Sequence, residues 1–147
     1  MNKWDKRFID LCQHISTWSR DPRTKVGAVI VDKNKRVVSL GFNGFPIGIK
    51  DDKRLDDRET KNEIVIHAEI NALLFANSNL EGCTLYVWPM PPCIRCAVQI
   101  IQSGIKRVVS PICNREHWIE SSSKAIELMK EAGINIEIKE IGEYDVK

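Results

Sequence analysis

Apolar positions along this chain follow two periods, and the change from one to the other marks its elements. Trp4, Phe8, Leu11, Cys12 and Ile15 recur at three- and four-residue intervals, so residues 4 to 17 predict an amphipathic helix with one buried stripe. Pro22 disfavours helical backbone in the residue before it and places the end near "SRDP". Two β-branched runs follow, "KVGAVIVD" and "RVVSLGFN", joined by the turn-rich "DKNK"; they predict a β-hairpin. The stretch 51 to 63, "DDKRLDDRETKNE", is nearly all charged and shows no apolar stripe, which predicts a solvated loop.

Beyond that loop, helical and strand periods alternate. Residues 67 to 76 read as a helix, "CTLYVW" as a strand, and "CIRCAVQIIQSG" as a helix closed by Gly104. Then come the strand "KRVVS", the helix "SSSKAIELMKEAG" with a serine N-cap and a glycine stop, and the strand "INIEIKE". The predicted order is α-β-β-α-β-α-β-α-β. An antiparallel hairpin followed by strand-helix-strand crossovers implies an α/β fold, a three-layer α/β/α sandwich around a central five-stranded mixed sheet.

Composition narrows the class. The 147 residues are 43% hydrophobic and 29% charged, the profile expected of a single globular domain over residues 1–147. No run approaches the length of a membrane span, and the charged opening lacks the apolar core of a signal peptide, so a cytoplasmic protein without a membrane partner is expected. Five cysteines suit thiols or metal ligands better than a disulfide framework in that compartment. A net charge of +2 gives no reason to expect nucleic acid as a partner, although a local cationic cluster still suits one phosphate.

The candidate chemistry lies in "HAE" and "PCIRC". Cys93 and Cys96 stand one turn apart at a predicted helix start, where unpaired N–H groups favour thiolate. His67 opens another helix, and the crevice of an α/β sheet gathers helix starts. One imidazole and two thiolates suit Zn2+, and three protein ligands leave a fourth position for water. Glu69 then suits a proton shuttle beside that water, although ideal helical geometry turns positions 67 and 69 about 200° apart. Other readings stay open: a CxxC redox pair, or a structural zinc site closed by Cys83, Cys113, His117 or Glu69. Cys12, Cys83, Cys113, His14 and His117 read otherwise as packing or ordinary polar residues.

"HAE" on a helix followed by "PCxxC" opening the next resembles the zinc nucleobase deaminases. "SRDPRTKVGAVIV", "GFNGFP", "HAEINAL" and "IIQSGIKRVV" are similar to the deoxycytidylate deaminases over most of the chain. The resemblance implies a cytidine deaminase-like fold in which His67, Cys93 and Cys96 hold zinc. It further implies hydrolysis of dCMP to dUMP and ammonia by zinc-bound hydroxide, with Glu69 shuttling protons to N3 and the leaving amino group. The product would supply thymidylate synthesis. By the same resemblance Asn43 contacts the deoxyribose and the backbone at Ala68 contacts the base. The stretch Ser19, Arg20, Arg23 and Lys25 concentrates donors suited to the phosphate, with Ser19 and Lys25 favoured. The resemblance implies a homo-oligomer, a hexamer being common among relatives, and dCTP or dTTP as effectors. Rival functions are a tRNA adenosine deaminase, a free cytidine deaminase and a non-catalytic zinc-stabilised binding module.

Overall fold

The computed structural model of the chain describes residues 2–113 and 115–140, the side chain of His117 excepted. Helix α1, Lys3–Ser16, begins at a capping box in which Asn2 accepts from Trp4 and Asp5 N–H while the Asp5 carboxylate accepts from Asn2 N–H. Strands β1, Gly27–Val31, and β2, Val37–Phe42, form the expected hairpin. After a short 3-10 turn at Lys53–Asp56 come α2, Arg58–Ile64, and α3, Ala68–Leu74. The rest of the described chain holds β3 (Thr84–Trp88), α4 (Ile94–Ser103), β4 (Arg107–Pro111), α5 (Glu116–Glu131) and β5 (Asn135–Lys139).

The five strands form one mixed sheet in the order β2-β1-β3-β4-β5. β1 pairs antiparallel with both β2 and β3, and β3, β4 and β5 run parallel. Alternate residues of β1 face opposite layers, so every position of that strand is buried. Val29 and Val31 meet Phe8, Ile9, Cys12 and Ile15 of α1 on one face. Ala28 and Ile30 meet Ala68 and Ala72 of α3, Ala97 and Ile100 of α4, and Met129 of α5 on the other. This is the α/β/α sandwich expected from the pattern.

Two close approaches set the layers. A Cβ on Gly27 would lie 2.0 Å from the Cys12 carbonyl oxygen, and one on Gly41 would lie 2.5 Å from the Ala68 carbonyl oxygen. Glycine at these positions lets α1 and α3 pack directly on strand backbone. The second approach is reinforced where Ser39 Oγ donates to the Ala72 carbonyl and Asn71 Nδ2 donates to the Phe42 carbonyl. Helix α3 is therefore seated on β2 at the end that carries the site.

Two expectations require correction. The charged stretch 51 to 63 is not a plain loop: it contains the 3-10 turn and most of α2, and Lys61 within it is buried. Its inward face holds a lysine neutralised across space by Asp21, so no apolar stripe announces it. Helix α5 also starts five residues before its supposed serine cap; Ser121 Oγ instead accepts the Ile94 N–H at the start of α4, 3.2 Å away.

Candidate active site

His67 is the N-cap of α3 and has extended backbone, φ −69° and ψ 153°. Its ring is thereby released from the helical angular spacing that would set it against Glu69. The segment before it is pinned by a two-way bridge in which Gly44 and Ile66 exchange N–H to carbonyl bonds of 3.1 and 2.8 Å. Cys93 is the N-cap of α4, held after buried Pro91 and Pro92, and Cys96 lies in the first turn.

These elements bring three donors together. His67 Nδ1 lies 3.2 Å from Cys96 Sγ and 3.5 Å from Cys93 Sγ, and all three atoms lie within 4.8 Å of one another. A tetrahedral zinc ion with Zn–S about 2.3 Å and Zn–N about 2.0 Å requires an N···S edge of about 3.5 Å. The donor set therefore fits zinc in kind and in size. Among the described residues no fourth histidine, cysteine or carboxylate joins the cluster. Cys83 is buried in the core, Cys113 Sγ donates to the Arg115 carbonyl, and the His117 side chain lies outside the described residues.

The electrostatics favour a cation at this point. A hydrogen bond from Cys96 acidifies the Cys93 thiol to about 4, against burial and with further help from His67. The same bond, with burial, drives the Cys96 thiol strongly upward. The bond to Cys93 raises His67 in spite of desolvation. The N-terminus of α4 adds its own preference for thiolate.

Glu69, in the first turn of α3, is only 4% exposed and reaches Cys96 while remaining outside the three-donor cluster. Burial raises its carboxyl, with the nearby His67 charge opposing. A buried carboxyl raised in this way holds a proton more readily than an exposed one, which suits proton transfer.

A cavity of about 340 Å3 has His67 in its wall. Its walls carry Asn43 and the cations Arg23, Arg58, Lys61 and Arg115, against Asp21 as the acid. A second cavity of about 620 Å3 reaches His67 and Cys96 from another side, past Glu59, Glu63 and Arg95. Helix α2 separates the two and sorts its charges accordingly, with Arg58 and Lys61 on one side and Glu59 and Glu63 on the other. The larger cavity is flanked by acids, so an anionic ligand is favoured in the smaller one.

The residues expected from sequence divide on inspection. Ala68 is buried at the start of α3 beside His67. Asn43 reaches the cavity wall, with Oδ1 accepting from Val26 N–H and Nδ2 donating to the Thr24 carbonyl. Arg23 also lines the cavity. Ser19 is buried away from that lining, donating to the Asn43 carbonyl and accepting from Asp21 N–H. Lys25 donates to the Ser19 carbonyl and borders a different cavity beside Trp88, while Arg20 is exposed. Arg58, Lys61 and Arg115, which also line the cavity, sit in charged segments with no motif spacing, and the proximity of α2 to "HAE" is the one sequence signal that points to any of them.

A family model described as "Cytidine and deoxycytidylate deaminase zinc-binding region" matches residues 2–111. An Aliivibrio fischeri protein named "Uncharacterized deaminase in luxG 3'region" is 42% identical over 139 residues, covering 92% of this chain and 93% of its own. The deoxycytidylate deaminase of Mus musculus is 37% identical over 139 residues, covering 90% of this chain and 77% of its own. The crystal structure of dCMP deaminase from the cyanophage S-TIM5, in complex with dCMP and dUMP, superposes with a TM-score of 0.79 at 27% identity. That match covers 94% of this chain and 98% of the cyanophage chain.

Proposed function

The chain belongs to the cytidine and deoxycytidylate deaminase family, and from that premise we propose that it hydrolyses dCMP to dUMP and ammonia, using a zinc ion held by His67, Cys93 and Cys96. The observation that carries this is the three-donor cluster with the buried Glu69 beside it, its His67 lining a cationic cavity. A purely structural zinc site has no use for a separate buried carboxylate or for that cavity.

Zinc at this position supplies Lewis acidity that makes a water molecule a nucleophile source near neutral pH. Glu69 takes a proton from the water that adds to C4 and places it on N3 of the pyrimidine. It then takes the second proton of that water and gives it to the departing amino group, so that the C4–N bond breaks with ammonia as leaving group. Burial serves both transfers, since it keeps the carboxylate basic enough to accept each proton.

For the nucleotide, Arg23, Arg58 and Arg115 are the cations we assign to the phosphate, because they line this cavity and the expected Ser19 and Lys25 do not. The Asn43 amide keeps one N–H for the sugar. A homo-oligomer is supported by Ile47, 87% exposed, beside exposed Leu74 and Phe75 around one apolar cavity.

The test is ammonia release measured side by side on dCMP, CMP, dCTP, deoxycytidine and a tRNA stem-loop. Preference for dCMP is expected. Equal turnover of deoxycytidine would remove the phosphate from recognition, and turnover of the stem-loop alone would replace the substrate.

A further inference from the structure

Asp21 and Lys61 are 40 residues apart in sequence, yet Lys61 Nζ donates to Asp21 Oδ1 at 3.2 Å. Both residues are buried, at 5% and 6% exposure. The same carboxylate oxygen accepts the N–H of Arg23 at 2.8 Å and of Thr24 at 3.0 Å. Thr24 extends the order in two directions. Its carbonyl accepts from Asn43 Nδ2 at 2.9 Å, and its hydroxyl accepts from Arg115 Nη1 at 3.2 Å. One carboxylate thus organises residues from α2, the loop before β1, the end of β2 and the start of α5, all lining the cavity that His67 also lines.

A buried ion pair is a poor stabiliser, because desolvating two charges offsets most of their attraction, and an apolar pair of similar volume often does as well. An apolar pair cannot, however, accept two backbone N–H groups and a lysine on one atom. Nor does an exposed surface pair hold such a geometry against solvent. The feature that demands a charge here is the arrangement of the wall.

We propose that Asp21 and Lys61 are positioning residues for nucleotide recognition: together they hold Arg23, Asn43 and Arg115 in the array that grips the phosphate and sugar. The inference rests on the dCMP reading and adds to it the residues that set substrate affinity without performing the chemistry. Lys61 anchors α2, and with it Arg58, to the same array.

The experiment compares wild type with Asp21→Asn, Lys61→Met, Lys61→Arg and the double variant Asp21→Asn/Lys61→Met, reading KM and kcat on dCMP, zinc content and thermal midpoint. Each single neutralisation should raise KM about tenfold or more, the size of one lost charge-assisted hydrogen bond, with the loss falling on KM and zinc remaining stoichiometric. Lys61→Arg should restore most of the affinity. The double variant leaves no buried charge unpaired, so its midpoint should recover while its KM stays high; it also supplies the measurement if a single variant fails to fold. A double variant with wild-type KM, or variants that lose zinc and kcat in parallel at unchanged KM, would overturn the positioning role. A wild-type protein inert toward dCMP would overturn the functional reading instead.

Discussion

His67 Nδ1 lies 3.2 Å from Cys96 Sγ although 29 residues separate the two in sequence. One belongs to the cap of α3 and the other to the first turn of α4, so the packing of two helices on one sheet face decides whether a metal is held. Loss of a ligand should therefore be felt by both helices.

Cys96→Ser is expected to lose stoichiometric zinc and to unfold at lower temperature, since metal binding and folding are coupled. Elemental analysis with a thermal melt, before and after chelation, checks this. Full zinc occupancy in the variant would take Cys96 out of the ligand set.

Glu69→Gln is expected to keep zinc and fold but to lose about 10²- to 10⁴-fold in kcat, the usual weight of general acid–base transfer. Single-turnover ammonia release with metal content measured on the same sample decides it. A near-normal rate would mean that another group moves the proton.

Gly41→Ala places a methyl group 2.5 Å from the Ala68 carbonyl oxygen and 2.6 Å from the Ala72 nitrogen. Overpacking of this kind costs about 1–3 kcal/mol, and here it pushes α3 and His67 off the sheet. Lower stability and weaker zinc affinity are both expected by denaturation and chelator competition. Gly44→Ala, with nothing within 4 Å of its Cβ, is the matched control and should change neither.

Asp5 gives a pH dependence away from the metal. Burial pushes its carboxyl up, but Arg107, paired at 2.7 Å, and Tyr86 together hold it below the usual value. Because the folded pKa is depressed, its stabilising contribution is complete above the unfolded value of about 4 and is lost as pH falls through the lower folded value. Asp5→Asn should flatten that part of the acid limb and cost about 3 kcal/mol at neutral pH, at the low end for a broken buried pair because Arg107 keeps Glu137. Urea unfolding of both proteins from pH 7 to pH 3 measures it; parallel curves would show that Asp5 is unperturbed.

Local signals carried much of the fold and the metal site. The helical period in α1 and α4, the β-branched hairpin and the spacing of Cys93 and Cys96 after two prolines depend on neighbours within a few residues, where backbone geometry links sequence to shape directly. For the same reason "HAE" placed an imidazole and a carboxylate at one helix start. Tertiary structure alone decided the cationic cavity beside His67. Arg58 and Arg115 belong to segments with no periodic signal, and Lys61 became an interior residue only because Asp21, far away in the chain, neutralises it. Ser121 looked like a cap for its own helix and caps α4 instead. Charge pairing and hydrogen bonding across space leave no period in a sequence, so this cavity wall is visible only once the elements are packed.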